Sequence, residues 1–111
     1  MSYAPPMKKI LYVDDIRNPP DIQGVSWDIA RSFLDAIEKL SNIDYDGVSL
    51  DHDIASYDEN GREMTGYDIA LWLAERKYNN KYVPQNIQVH SANPVGRERI
   101  EGVIKRYLTN A

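Results

Sequence analysis

The sequence predicts a single α/β domain built on a parallel sheet, and three observations lead to that fold class. Short apolar runs of the kind found in buried strands alternate along the chain with segments whose apolar residues recur at helical spacing. Polar residues follow directly after most of these runs, as they do where parallel strands end at a ligand-binding edge. The 111 residues are enough for one domain and too few for two.

The ordered domain is predicted to span residues 8–111, after a flexible tail over residues 1–7. Pro5 and Pro6 fit neither a helix nor the interior of a sheet, because proline fixes one backbone angle and lacks an N–H donor. Ordered structure is therefore expected to begin with the first strand.

Four strands are predicted from runs of apolar or alternating residues. The first run is unbroken, which suits a strand buried on both faces, whereas the last alternates and suits a half-buried edge strand. Prolines keep residues 18–24 irregular, and the polar residues 54–63 are expected to form an exposed loop. The four strands lie at residues 10–13, 25–30, 48–50 and 87–91.

Three helices are predicted between and after these strands. Thr65 and Asp68 have the spacing of a capping box at the start of the second helix, which runs to about Lys77. Asn93 and Pro94 place a capping residue before a proline at the first helical position, and the third helix runs over residues 94–108. The buried faces are predicted to hold Phe33, Ala36, Ile37 and Leu40, then Ile69, Trp72 and Leu73, and finally Ile100, Val103, Ile104, Tyr107 and Leu108.

Composition excludes several classes of function. Seventeen acidic residues against thirteen Lys and Arg give a net charge of −4, which argues against a broad nucleic-acid groove. The absence of cysteine excludes disulfides, thiolate metal sites and a cysteine nucleophile. No apolar run approaches the length of a membrane span, so a cytoplasmic protein with no membrane partner is expected.

Polar residues collect after three of the four predicted strands. Because the carboxyl ends of parallel strands meet at one edge, these residues are predicted to converge on one site. Taken singly, several also have a structural interpretation, such as a turn residue, a helix cap or a solvated helix face. The residues are Asp14 and Asp15 after the first strand, Asp51, His52 and Asp53 after the third, and His90, Ser91 and Asn93 after the fourth.

The closely spaced carboxylates predict a site for a hard divalent cation, Mg²⁺ or Mn²⁺. Asp14, Asp15 and Asp51 are the predicted ligands, because a cation with oxygen ligands relieves their mutual repulsion. Asp53 is a further contributor to the metal or to catalysis.

Proton transfer and phosphate binding are assigned to neighbouring residues. His52 and His90 titrate near neutral pH, so either could act as general acid or base. Arg17 and Arg97 could hold phosphate oxygens, and the helix start at Asn93 offers backbone N–H groups to a phosphate.

The same residues carry a resemblance to response-regulator receiver domains. Residues 10–15 resemble the receiver's first strand and acidic pair, and residues 46–51 resemble the strand that bears the phosphoacceptor, which would be Asp51. Residues 89–92 resemble the strand that ends in a phosphoryl-contacting hydroxyl, which would be that of Ser91.

Four short motifs make the resemblance more specific. They are DDIRNP at residues 14–19, SLDHD at residues 49–53, TG at residues 65–66 and HSANP at residues 90–94. Together they resemble cyclic-phosphate-processing receiver-like domains, which occur as short stand-alone proteins in phages and bacteria. The resemblance implies a minimal, flavodoxin-like, three-layer fold with four parallel strands in the order 2-1-3-4. Compared with a receiver, the implied fold lacks the first helix and the fifth strand. The receiver's signalling lysine therefore has no counterpart in this chain.

The resemblance also implies a role in processing cyclic or terminal phosphates of nucleotides or RNA, and a metal-dependent phosphoesterase is the leading hypothesis. A non-catalytic protein that sequesters cyclic nucleotides and a receiver phosphorylated on Asp51 are the alternatives. In a receiver the first and fifth helices cover one face of the sheet, and without them that face would be bare. The final helix is expected to cover that face, with a homodimer as the competing solution.

Overall fold

The fold, seen in a computed structural model that describes residues 7–109, is a four-stranded parallel sheet with three helices and a short hairpin. The elements are β1 (Lys8–Val13), β2 (Val25–Ala30), α1 (Phe33–Asn42), β3 (Gly47–Leu50), the hairpin strands β4 (Ser56–Tyr57) and β5 (Glu63–Met64), α2 (Gly66–Tyr78), β6 (Asn86–Val89) and α3 (Pro94–Val103), which continues as a π-helical turn (Ile104–Leu108). None of the helices in the described part of the chain is long and apolar enough to cross a membrane.

The sheet confirms the predicted fold class and strand order. Its order is β2-β1-β3-β6 with all neighbours parallel, which is the predicted 2-1-3-4 because the hairpin supplies the two strands between β3 and β6. Most of the predicted N-terminal tail, residues 1–6, lies outside the described residues.

All three helices begin at side-chain caps, and two of these caps are predicted from the sequence. The Ser32 hydroxyl accepts the N–H of Asp35, and Thr65 and Asp68 form the predicted capping box. Asn93 caps α3 by accepting the N–H of Gly96, with Pro94 at the first helical position. These caps satisfy N–H groups that have no partner within the helix.

Most of residues 54–63 are exposed, as predicted, but the segment forms the hairpin β4–β5 and not an irregular loop. Ile54 and Ser56 are buried, and the Ser56 hydroxyl accepts the N–H of Phe33 at the start of α1. Asp58 accepts two backbone N–H groups at the tip, and Gly61 has a φ of 78°, which favours glycine. The Ile54 side chain and the Ser56 hydroxyl thus anchor the segment to the core.

The three helices pack on one face of the sheet, so the described residues form two layers and not the three layers that the resemblance implies. Side chains from one face of β1 and β3 share a core with α1, α2 and α3, and this core includes Leu11, Val13, Leu50, Ile69, Leu73 and Ile100. The crossovers from β2 to β3 and from β3 to β6 move across the sheet in the same direction, so right-handed connections place their helices on the same side. The helix after β6 packs against α2 and joins this layer.

The final helix therefore does not cover the second sheet face, and that expectation is wrong. Among the described residues no helix lies on the face that carries Ile10, Tyr12 and Trp27. There the Tyr12 and Trp27 rings meet edge to face at 5.6 Å. The homodimer, the competing solution, stays a prediction.

The end of the final helix differs from the expected buried stripe at one residue. Tyr107 is 51% exposed, whereas Leu108 is buried. The N–H of Thr109 bonds to the carbonyl of Ile104, five residues back, so the last turn is wider than an α-helical turn. In this wider turn Leu108 packs in the core and Tyr107 faces solvent.

Replacing Tyr45 by phenylalanine is expected to lower the free energy of unfolding at pH 7 by about 1–2 kcal/mol. Tyr45 is fully buried, and its hydroxyl donates to Asp28 at 2.6 Å. Burial first, and then this bond, raise the pKa of Tyr45 well above its ordinary value, so its contribution holds below about pH 10 and is lost as the pH rises further.

Urea unfolding at pH 7 and at pH 10.5 measures both effects. The matched control is Tyr78→Phe, because the Tyr78 side chain is 86% exposed. Equal stability of the two variants at pH 7, or an unchanged difference from the wild type at high pH, would contradict the prediction.

Candidate functional site

Three titratable side chains from three strand ends meet at the carboxyl edge of the sheet. Asp14 follows β1, Asp51 follows β3 and His90 follows β6, and one ligand atom of each lies within 4.8 Å of the others. Both carboxylates are buried, with Asp14 0% and Asp51 5% exposed. The parallel sheet order brings together residues that are far apart in the sequence, as predicted.

Asp14 is the most strongly held member of this group. Its Oδ1 accepts the N–H groups of Ile16 at 3.0 Å and Arg17 at 2.8 Å. Burial raises the pKa of Asp14, but these two bonds, His90 and the Arg17 guanidinium outweigh burial and lower it below the ordinary value. Asp14 is therefore ionised at neutral pH.

Arg17 links the two carboxylates. Its Nε lies 2.9 Å from Asp14 Oδ2, and its Nη2 lies 3.3 Å from Asp51 Oδ2. Because the Arg17 side chain is 46% exposed, it also faces solvent, where an anionic ligand could reach it. The predicted phosphate-binding arginine is thus at the site.

Arg31, which the sequence analysis missed, fixes the segment that carries Arg17. Its Nη1 donates to the carbonyls of Asp14 at 3.2 Å and Arg17 at 2.6 Å, and its Nη2 donates to Asn18 Oδ1 at 2.6 Å. The only sequence signal is its place directly after β2, at the same edge of the sheet. A receiver has a helix directly after the acidic pair. This chain has an irregular segment there, and the Arg31 guanidinium holds that segment in place.

His90 lies between a carboxylate and a hydroxyl. Its Nε2 is 3.1 Å from Asp14 Oδ2 and its Nδ1 is 2.7 Å from Ser49 Oγ, while its ring stacks on Tyr12 at 4.2 Å. Burial lowers the pKa of His90, and the neighbouring carboxylates offset this only in part. The ring is therefore neutral at neutral pH, and Ser49 fixes its orientation.

The other predicted catalytic histidine belongs to a separate contact. His52 Nδ1 lies 2.9 Å from Asp53 Oδ1, and Asn93 Nδ2 donates to Asp53 Oδ2 at 3.3 Å. The His52 ring also packs on Gly96, where an added Cβ would lie 2.3 Å from the ring. These contacts join the loop after β3 to the start of α3, and the predicted catalytic roles of His52 and Asp53 stay predictions.

Three further predicted residues lie outside the group formed by Asp14, Asp51 and His90. They are Asp15, Ser91 and Arg97. Ser91 is buried and its hydroxyl accepts the N–H of Asn93, while Arg97 pairs with Glu101 along α3. Asp15 is half-buried and, among the described residues, is not part of the candidate metal group. Its place as third candidate ligand is taken by His90.

The start of α3 offers less to a phosphate than expected. Asn93 Oδ1 accepts the N–H of Gly96, and Pro94 has no N–H. Two of the first three helical positions are thus closed to a ligand, and the structure uses Asn93 as a cap.

The group of three fits a divalent cation. The Asp14 and Asp51 carboxyl groups share a single guanidinium, that of Arg17, and among the described residues no other arginine or lysine pairs with their side chains. Carboxylate oxygens and an imidazole nitrogen are ordinary ligands for divalent metals. The ligands would be Asp14, Asp51 and His90.

Comparison with known proteins supports the fold and names a family. Residues 9–106 match the family model described as the cyclic-phosphate processing receiver domain. A solved structure of a fusion protein that carries a yeast trimeric coiled-coil segment is similar with a TM-score of 0.55 and 21% identity. The similarity covers 87% of this chain and 62% of that one, and at this identity it bears on the fold alone. No curated protein matches the chain.

Proposed function

This chain belongs to the cyclic-phosphate processing receiver domains, and from this premise we propose that it is a divalent-metal-dependent phosphoesterase acting on cyclic or terminal phosphates of nucleotides or RNA. One observation carries the proposal: Asp14, Asp51 and His90 present ligand atoms within 4.8 Å of one another, with Arg17 beside them. A receiver that only accepts a phosphoryl group has no need of a histidine in this position.

The metal ion and the Arg17 guanidinium would both bind the phosphate. A divalent cation held by the group of three would polarise a phosphoryl oxygen and lower the pKa of a bound water. Arg17 contacts both carboxylates and solvent, so its guanidinium is placed to hold the oxygens of an incoming phosphate. When the Arg17 side chain turns from the carboxylates to a phosphate, the bond from Arg31 to the Arg17 carbonyl keeps the Arg17 backbone in place.

His90 is the residue that can move a proton at this site. Its neutral ring can accept a proton at Nε2, next to the Asp14 carboxylate, which stabilises the charged form. Ser49 can donate to or accept from Nδ1, so it orients the ring in either tautomer. Because Nδ1 faces Ser49 and both roles use the one lone pair of Nε2, His90 acts at any moment either as a proton acceptor or as a metal ligand.

Replacing Ser49 by alanine is expected to weaken Mn²⁺ binding and activity by about 10- to 100-fold, the usual cost of removing a group that orients a metal-binding histidine. The lost contact is the 2.7 Å bond from Ser49 Oγ to His90 Nδ1. Calorimetry with Mn²⁺ measures binding without relying on activity. Ser49→Thr keeps the hydroxyl and is expected to retain most of the affinity. Equal affinities of wild type and Ser49→Ala would contradict the role.

Manganese is expected to bind more tightly than magnesium and to support faster hydrolysis. The third candidate ligand is an imidazole, whereas Mg²⁺ strongly prefers oxygen ligands and keeps several waters. Titrating both metals into the same protein tests this. Tighter binding of Mg²⁺ would indicate that Asp15 or another oxygen ligand replaces His90.

Phosphorus NMR tests the proposed function itself. The substrates are 2′,3′-cyclic mononucleotides and cyclic di- and trinucleotides, with Mn²⁺, Mg²⁺ or a chelator, and Asp51→Ala is the control. New phosphomonoester signals that require metal and Asp51 are expected. Shifted signals from intact ligand would indicate a sequestering protein instead. If no ligand responds, stable labelling by acetyl phosphate that requires Asp51 would favour the receiver alternative.

A further inference from the structure

A surface groove between α2 and α3 combines arginines with tyrosines. We propose that this groove binds the nucleotide segment next to the phosphate that the site holds, so that oligonucleotide ends are the favoured substrate class over mononucleotides. This inference rests on the proposed function and specifies its substrate.

The groove is locally basic in an acidic protein. It has a volume of about 360 Å³, and none of its lining residues is acidic. The Arg99 guanidinium lies 4.3 Å from the centre of the Tyr67 ring, and that of Arg106 lies 5.5 Å from the centre of the Tyr107 ring. Within residues 7–109, neither arginine forms an ion pair. The lining residues are Tyr67, Leu71, Arg99, Gly102, Val103, Arg106 and Tyr107.

The groove begins next to the candidate metal site. Tyr67 directly follows Gly66, where an added Cβ would lie 2.0 Å from the carbonyl oxygen of Asp51. Both α2 and α3 start at the carboxyl edge of the sheet and pack side by side. A chain whose terminal phosphate is at Asp51 can therefore continue past Tyr67 and Arg99 towards Arg106.

The chemistry of the groove favours a nucleotide chain over an acidic peptide. Bases stack on tyrosine rings and on guanidinium planes, and phosphates pair with the same arginines. An acidic peptide would use the charges but leave the rings without a partner. Two arginines suit one or two nucleotides, which agrees with a net charge of −4.

Fluorescence anisotropy with a labelled single-stranded hexanucleotide, in the presence of a chelator, tests the groove without relying on catalysis. Arg99→Gln and Arg106→Gln are each expected to weaken binding about tenfold. The salt dependence, as the slope of log K against log salt concentration, is expected to fall by about 0.7 for each arginine removed. Arg76→Gln is the matched control, because Arg76 lies 4.9 Å over the Trp72 ring of α2 in a different groove.

Hydrolysis of a 2′,3′-cyclic mononucleotide separates this inference from the proposed function. Groove variants with normal mononucleotide hydrolysis and weaker hexanucleotide binding are the expected result. Unchanged hexanucleotide binding in both variants, an equal loss in Arg76→Gln, or equally good competition by a polyglutamate peptide would each overturn the groove assignment. If the wild type hydrolyses neither the mononucleotide nor a hexanucleotide that ends in a 2′,3′-cyclic phosphate, this would instead count against the phosphoesterase, whatever the groove binds.

Discussion

Asp51→Asn is expected to lower cyclic phosphodiester hydrolysis by more than about 100-fold. Removing a residue that only orients a metal ligand already lowers metal affinity or activity by about 10- to 100-fold, and Asp51 is itself a candidate ligand. Asp51 is buried next to Asp14, and the substitution removes one of the two carboxylates that would hold the cation. The shape of the side chain is kept, and its one ion-pair partner among the described residues is the half-exposed Arg17. The fold is therefore expected to tolerate the change.

Thermal unfolding with and without Mn²⁺ gives a readout that does not depend on activity. At 100 times the dissociation constant, Mn²⁺ is expected to stabilise the wild type by about 2.7 kcal/mol. Asp51→Asn is expected to lose most of this stabilisation while unfolding near the wild-type temperature without metal. Asp21→Asn, on the exposed segment before β2, is the control. Full stabilisation of Asp51→Asn by Mn²⁺ would show that the carboxylate does not hold the metal.

Asp15→Asn separates the two candidate metal-ligand sets. The sequence predicts Asp14, Asp15 and Asp51, whereas the structure brings His90 together with Asp14 and Asp51. A loss of Mn²⁺ affinity as large as that of Asp51→Asn would support the sequence-based set. A small change would support the set with His90.

Local sequence signals were sufficient for most of the fold. Thr65 with Asp68, and Asn93 with Pro94, mark helix starts through contacts within four residues, so no tertiary information is needed to read them. Local signals do not predict on which face of the sheet the last helix packs. This placement depends on the direction of each crossover across the sheet, and a comparison with receivers that only counts missing helices cannot supply that direction.

The site shows the same division between local and long-range information. The ends of the strands can be located from the sequence pattern, and this is sufficient to predict Asp14, Asp51 and His90 at the site. The other contacts at the site depend on the direction in which each side chain points. Ser49 looked like an ordinary strand residue, yet it faces His90 from the neighbouring strand, and Arg31 reaches back over 17 residues to Asp14. Such contacts depend on register and rotamer, which the sequence pattern does not specify.

The second large effect is expected from Gly66→Ala, which should lower the free energy of unfolding by about 3 kcal/mol or more, at the upper end of the cost of overpacking. The added Cβ would lie 2.0 Å from the carbonyl oxygen of Asp51 and 3.2 Å from Ile100 Cδ1. A backbone carbonyl cannot rotate away, so either α2 or the end of β3 must move. Movement of the end of β3 would displace the Asp51 carboxylate, and in that case Mn²⁺ binding should weaken even at temperatures where the variant is folded.

Two other glycines separate this effect from the general cost of adding a methyl group. Gly102→Ala meets nothing within 4 Å and replaces glycine within a helix, so it should be neutral or stabilising by up to about 1 kcal/mol. Gly96→Ala meets the His52 ring at 2.3 Å, and because a side chain can shift further than a backbone carbonyl, its cost should fall between the other two. Urea unfolding of the three variants measures the order, and Mn²⁺ titration at low temperature measures the site. If Gly66→Ala unfolds with the wild type, the start of α2 does not press on Asp51. If it unfolds early but binds Mn²⁺ normally, the contact stabilises the fold without positioning the carboxylate.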